Sequence, residues 1–186
     1  MIFVLYYSLL ITGRKKVNTM NIYKTLIALL FLTSKGAWAF CYEKAGATYQ
    51  IDPLLLIAIS QVESGLNPKA TNINKKGTKY QSEDIGLMQI NSTWLPMLSD
   101  KWNITREKLM TDPCQNVYVG AYILAMNISK NGVNWQSIGA YNAGLKEGRD
   151  AARIKYAKKV YSVYLDLKTG NRMDIIAKAT KGERVK

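Results

Sequence analysis

A single glutamate stands where a general acid could work. Glu63 lies near the end of the run Asp52-Pro53-Leu54-Leu55-Leu56-Ile57-Ala58-Ile59-Ser60-Gln61-Val62-Glu63-Ser64-Gly65. Asp52 is a good helix N-cap, Pro53 suits the first helical position, and Gly65 supplies a left-handed stop. At 3.6 residues per turn, Leu56, Ile59 and Glu63 share one stripe, so Glu63 continues an apolar row. Its charge would face the negative end of the helix dipole at a cost of about 0.3–1 kcal/mol. Burial disfavours the charged form as well. Both effects raise the carboxyl pKa, as suits an acid working near neutral pH.

The sequence has no histidine. That removes Ser-His-Asp and Cys-His nucleophile systems and the usual zinc hydrolases. No metal or cofactor is expected, and the chemistry must rest on carboxylates, Tyr, Lys, Ser or Asn. Glu83 and Asp84 are the other carboxylates that could reach a cleft. Asp84 is read first as a loop-ordering residue, with catalysis as the alternative.

The 186 residues suit one compact domain. Residues 1–39 read as a signal peptide. Met20 to Lys24 forms a short positive region, Thr25 to Leu32 an apolar core too short to span a bilayer, and Ala37-Trp38-Ala39 a cleavage site. Translation is expected to start at Met20, Met1 being the other candidate. An uncleaved N-terminal anchor is the alternative to cleavage. Removing residues 1–39 takes away five basic residues and no acidic one, leaving 21 against 13, a net of +8. Such a surface suits anionic partners. Export argues against nucleic acid and towards lipid headgroups or a cell wall. In an oxidising compartment, the two cysteines, Cys41 and Cys114, are expected to pair.

Helical signals dominate the rest. Cys41 to Gln50 reads as a short helix, and Thr105 caps another through Leu109. Asp112-Pro113 repeats the cap-plus-proline start and opens a helix to about Lys130. Further helices are expected over Asn134 to Tyr141 and Arg149 to Leu167, the latter with Tyr156, Val160, Val163 and Leu167 buried. Thr71 to Asn74 and Thr78 to Gln81 are expected to form one small hairpin around Lys75-Lys76-Gly77. Residues 169–186 read as a basic, flexible tail.

Three short motifs then fall in order: Glu63-Ser64-Gly65-Leu66-Asn67-Pro68, Gly86-Leu87-Met88-Gln89-Ile90-Asn91 and Ala140-Tyr141-Asn142-Ala143-Gly144. Together they strongly resemble the lysozyme-like lytic transglycosylases with an SLT domain, above all the small members that accompany conjugation, type IV and type III secretion systems. The likeness covers about Cys41 to Leu167, including the paired cysteines. It implies a mainly α fold of the SLT or goose-type lysozyme kind over residues 40–168. It also implies periplasmic cleavage of the MurNAc–GlcNAc β-1,4 bond of peptidoglycan, next to a secretion or conjugation machine, by a protein expected to be a monomer.

On that resemblance Glu63 is the catalytic acid and then base. Ser64 either bonds a sugar N-acetyl group or caps backbone. Gly86 lets the chain approach the cleft closely. Met88 offers a soft surface to a sugar face or fills the core. Gln89 and Asn91 could donate to sugar hydroxyls. Tyr141 could hold the Glu63 carboxyl or a substrate oxygen. Asn142 either bonds substrate or caps its helix, and Tyr118 either lines the cleft or packs in the core. Trp94, Trp102 and Trp135 stack on sugars or pack against the protein. A hydrolytic muramidase, a non-enzymatic wall-binding scaffold and a membrane-surface protein are the rival readings.

Overall fold

The computed structural model describes residues 39–181. Of the expected leader only Ala39 falls among them; the rest lies outside the described residues. Helix α1 spans Ala39–Tyr49 and α2 spans Pro53–Ser64. Asp52 caps α2 by accepting the Leu54 N–H, and Gly65 closes it in the left-handed conformation. Leu56 to Ser60 are all buried, so α2 is a core helix.

A three-stranded antiparallel sheet follows: β1 Thr71–Asn74, β2 Ser82–Ile85 and β3 Ile90–Asn91. This corrects the expected hairpin. β1 pairs with 82–85, with Asn74 opposite Ser82, and not with Thr78 to Gln81. Residues 75–81 instead fold on themselves: Thr78 N–H donates to Lys75 O, Gln81 N–H to Thr78 O, and Gly77 N–H to the Gln81 side chain. What sets the register is polar. The Asp84 carboxylate accepts from the amides of Asn74 (2.7 Å) and Asn72 (3.3 Å) on β1, and of Asn91 (2.7 Å) on β3. Ile85 and Ile90 supply the buried face.

A 3-10 turn at Ser92–Trp94 leads into α3, Leu95–Trp102, and then α4, Arg106–Thr111. Asp112 caps α5, Pro113–Asn131, through the Gln115 N–H. Helix α6 is Trp135–Ala143 and α7 is Asp150–Lys168. Helix α7 packs on α6 and α2, and α5 packs on α1 and α6. The α6–α7 contact is nearly backbone to backbone: a Cβ at Gly139 would lie 2.3 Å from the Arg153 carbonyl oxygen. The Cys41–Cys114 disulfide, with Cα atoms 5.4 Å apart, ties α1 to the first turn of α5. Closing that 73-residue separation is worth about 4 kcal/mol in the chain-entropy account.

The segment expected as a flexible tail holds a further helix, α8, Met173–Lys181. Ile175 and Ala179 are buried, and Lys178 Nζ donates to Gly65 O at 2.5 Å, just past the end of α2. With Ile176 packed beside them, three apolar residues suffice because a ready surface of α2 and α7 receives them. The mainly α architecture with a small sheet holds. No helix among the described residues is long and apolar enough to cross a membrane.

Asn116 stitches sheet, loop and helices together. It is 0% exposed. Its amide donates to Ile85 O (2.9 Å) and Leu109 O (3.1 Å), and its oxygen accepts the Met88 N–H (2.8 Å). Asn116→Leu keeps the branched shape at greater volume and strands three buried backbone groups. A loss of about 3 kcal/mol is expected, read as a lowered urea midpoint. An unchanged midpoint would show that those groups find other partners.

Candidate active site

Glu63 occupies the last turn of α2, and three neighbours decide its state. Burial acts most strongly and favours the neutral carboxyl. The Tyr156 hydroxyl on α7 donates to Oε1 at 2.5 Å and pulls the other way. Asp84 then pushes up and Lys159 down. Burial wins, and the carboxyl is pushed up to about 7. At neutral pH Glu63 is therefore poised between acid and base. Burial, followed by the charge of Glu63, holds the Tyr141 and Tyr156 hydroxyls well above the usual phenol range, so both remain donors.

Glu63 opens onto a cleft of about 830 Å³ between the sheet, α5 and α6. Asp84, Gln89, Asn91, Trp94, Tyr141 and Asn142 line it with Glu63. Lys75, Lys130, Lys146 and Arg149 line it as well, four cations among only two carboxylates. Nothing in the sequence spacing pointed to this basic lining, because its members come from three separate segments.

The structure separates binding from building among the motif residues. Asn142 is exposed at the cleft, and its carboxamide has no hydrogen-bond partner among the described residues. Tyr141 lines the cleft by its ring, but its hydroxyl donates to Met88 O at 2.9 Å. Tyr156, not Tyr141, holds the Glu63 carboxyl. Gln89 and Asn91 line the cleft, yet their amide donors are engaged within the protein: Gln89 with Ala70 O and Gly86 O, Asn91 with Asp84 and Ser82. The expectation that they donate to sugar hydroxyls is corrected accordingly.

Ser64 is a backbone fastener. Its Oγ donates to Leu87 O at 2.7 Å and accepts the Asn67 N–H at 3.1 Å, tying α2 to the 86–91 loop. Met88 is fully buried and fills the core. Gly86 does serve close approach, though beneath the cleft. Its φ is +74°, and a Cβ there would lie 2.3 Å from the Asn116 amide nitrogen. Tyr118 lies in a different groove with Trp102. Trp135 packs edge-on against Tyr161. Of those three tryptophans only Trp94 lines the cleft. Glu83 is bound by Arg106 through both carboxylate oxygens, at 2.5 and 2.7 Å, and is absent from the cleft lining.

Sequence reasoning placed Tyr156 in a buried stripe and missed its role. The signal was there: a buried tyrosine hydroxyl needs a partner, and Glu63 was the buried carboxylate in want of one.

The raised carboxyl has a stability consequence. Below pH 4.5 Glu63 is protonated in both folded and unfolded chains and costs nothing. Between 4.5 and about 7 only the unfolded chain loses the proton, so stability falls as pH rises. Above 7 the full penalty of about 3 kcal/mol remains. Glu63→Gln is therefore expected to match the parent at pH 4 and to exceed its stability by about 1–3 kcal/mol at pH 8. Denaturant melts at the two pH values check this; an equal difference at both would place Glu63 in water.

The chain can be compared with known proteins. It is 43% identical over 145 residues to X polypeptide of Escherichia coli, covering 77% of this chain and 83% of that one. It is 40% identical over 146 residues to invasion protein IagB of Salmonella typhimurium, covering 78% and 88%. It is 37% identical over 158 residues to a peptidoglycan-binding-like protein of Escherichia coli O157:H7, covering 83% and 95%. The model of the transglycosylase SLT domain matches residues 40–163, a span that holds Glu63, Tyr156 and the whole cleft between them. With an isolated glutamate in its helix end and this match over most of its described length, the chain belongs to the transglycosylase SLT domain family.

Proposed function

We propose that the protein is an exported lytic transglycosylase that cleaves the MurNAc–GlcNAc β-1,4 bond of peptidoglycan in the periplasm. The observation that carries this reading is a partly buried Glu63, pushed up to about 7 and held by Tyr156 at the wall of a long basic cleft. The basic lining suits a strand whose stem peptides, or bare lactyl groups where the peptides are absent, carry carboxylates. A relative named as peptidoglycan-binding-like supports the same polymer. A relative named as an invasion protein supports a role in opening the wall locally for a secretion or conjugation apparatus.

The neutral Glu63 donates its proton to the glycosidic oxygen, the C1–O bond breaks, and C1 becomes oxocarbenium-like. The substrate's own N-acetyl oxygen stabilises C1. Its C6 hydroxyl then attacks C1 and returns a proton to the Glu63 carboxylate. The nucleophile is already attached, which gives it an entropic advantage over water. No water is added, and the product ends in 1,6-anhydro-MurNAc. Tyr156 keeps the carboxyl oriented and stabilises the carboxylate that forms after the first transfer.

Asp84 supports a second reading. It lines the same cleft and acts electrostatically on Glu63, as a water-directing carboxylate of a hydrolytic muramidase would. Its ties to three asparagine amides favour the structural role.

Mass analysis of a peptidoglycan digest is expected to give anhydro ends about 18 Da lighter than hydrolysed ones. Reducing MurNAc ends would overturn the intramolecular route and give Asp84 the second role. Glu63→Gln is expected to lower release about 10²–10⁴-fold; full release by that variant would remove Glu63 as the acid. Tyr156→Phe removes a bond that favours the carboxylate, so Glu63 keeps its proton to higher pH. The alkaline limb of the pH–rate profile is expected to move up. A limb that moves down would contradict the assigned direction of that bond.

A further inference from the structure

Trp102 and Tyr118, which the cleft leaves aside, meet in a second groove of about 500 Å³ that shares no residue with the first. Tyr49 from α1, Trp102 from α3, and Tyr118 and Tyr122 from α5 line it, with Asp112 and Gln115 at the start of α5. The Trp102 ring is edge-on to Tyr122 at 4.9 Å, and Tyr122 lies 6.2 Å from Tyr49. Trp102 remains 45% exposed, a large face given to solvent. The tips of the groove are polar and unsatisfied. The hydroxyls of Tyr49, Tyr118 and Tyr122, the Trp102 indole N–H and the Gln115 carboxamide have no hydrogen-bond partner among the described residues.

That combination selects a ligand class. An apolar peptide face would desolvate five polar groups without replacing their water, which costs free energy at each. An anionic ligand would meet Asp112 and no cation in the lining, the reverse of the basic cleft. A neutral pyranose satisfies both constraints: its C–H face stacks on aromatic rings, and its hydroxyl and acetamido groups pair with the polar tips. We propose that this groove is a second, non-catalytic site for uncharged β-1,4-linked N-acetylhexosamine units of a glycan strand. The inference rests on the peptidoglycan reading for its polymer.

One rigid helix carries both sites. Tyr118 and Tyr122 on α5 face the aromatic groove, while Ile123, Met126, Asn127 and Lys130 of the same helix line the cleft, about a third of a turn away. Two sites at fixed separation raise retention on an insoluble polymer without tightening either alone.

The test uses the mature exported protein carrying Glu63→Gln, so that bound strands are not cut. Retention is measured on insoluble chitin, an uncharged β-1,4-linked N-acetylglucosamine polymer, and on intact sacculi. Adding Trp102→Ala is expected to weaken retention about tenfold, consistent with the loss of one stacking platform. Trp102→Phe is expected to keep most of it. Gln115→Ala, at a side chain with no hydrogen-bonding role in the fold, is expected to weaken retention severalfold and decides the matter if Trp102→Ala fails to fold. With Glu63 intact, Trp102→Ala is expected to slow release from whole sacculi severalfold and to leave cleavage of short soluble strands unchanged. Unaltered retention in the Trp102 and Gln115 variants, or retention on sacculi with none on chitin, overturns the second site. Failure of the parent to cut peptidoglycan overturns the catalytic reading instead, and binding of chitohexaose that depends on Trp102 still reads the groove by itself.

Discussion

Helix α7 grips α2 at both ends. At the start of α2, the Tyr164 hydroxyl and Lys168 Nζ reach the Asp52 carboxylate at 2.7 and 3.2 Å. At its finish, the Tyr156 hydroxyl reaches Glu63 at 2.5 Å. The helix between is almost wholly apolar, and the other polar ties, Ser64 to Leu87 O and Lys178 to Gly65 O, sit at its last turn beside Glu63. An apolar stripe tolerates a slide of a fraction of a turn; hydrogen bonds at both ends do not. Everything the cleft requires of Glu63 depends on that fixed position. Slid outward the carboxyl would be hydrated and ordinary; slid inward it would never ionise.

The asparagine and aspartate residues around the cleft divide into two groups by what they already touch. Asp84, Asn72, Asn74 and Asn91 form a closed set spanning three strands, and Asn116 a second set beneath it. These hold a sheet too short and too polar to be held by side-chain burial. Asn142 alone among the motif amides stays unengaged at the cleft. A motif of this kind is thus mostly scaffold, and a residue's nearness to the cleft says little about whether it can meet a ligand.

Most of the helical frame was legible in the sequence, because its boundaries carry local chemistry. Asp52-Pro53 and Asp112-Pro113 open helices with a cap and a preset φ, and both side chains do cap them. Thr105 and Asn134 act likewise. The sheet was misread because its register follows amide–carboxylate pairs, which hydrophobic alternation does not reveal. Helix α8 was missed because its stability comes from the surface it lands on. Within the site, Glu63 was legible from one helix stripe. Tyr156 needed knowledge of which helix faces which, and the stripe that placed its ring said nothing of its hydroxyl.

The grip of α7 on α2 joins residues far apart in the chain. Glu63 and Tyr156 are 93 positions apart, and Lys178 lies 113 beyond the Gly65 carbonyl it binds. A ribosome releases Glu63 long before it has made either. In the nascent chain the motif is complete, yet its carboxylate is an ordinary one, ionised at neutral pH and unable to donate a proton. Termination between Gly65 and α7 leaves a fragment that holds the whole sequence of α2 and an ordinary carboxylate at its end. Competence arrives late and all at once, when the last third of the polypeptide folds back over the first.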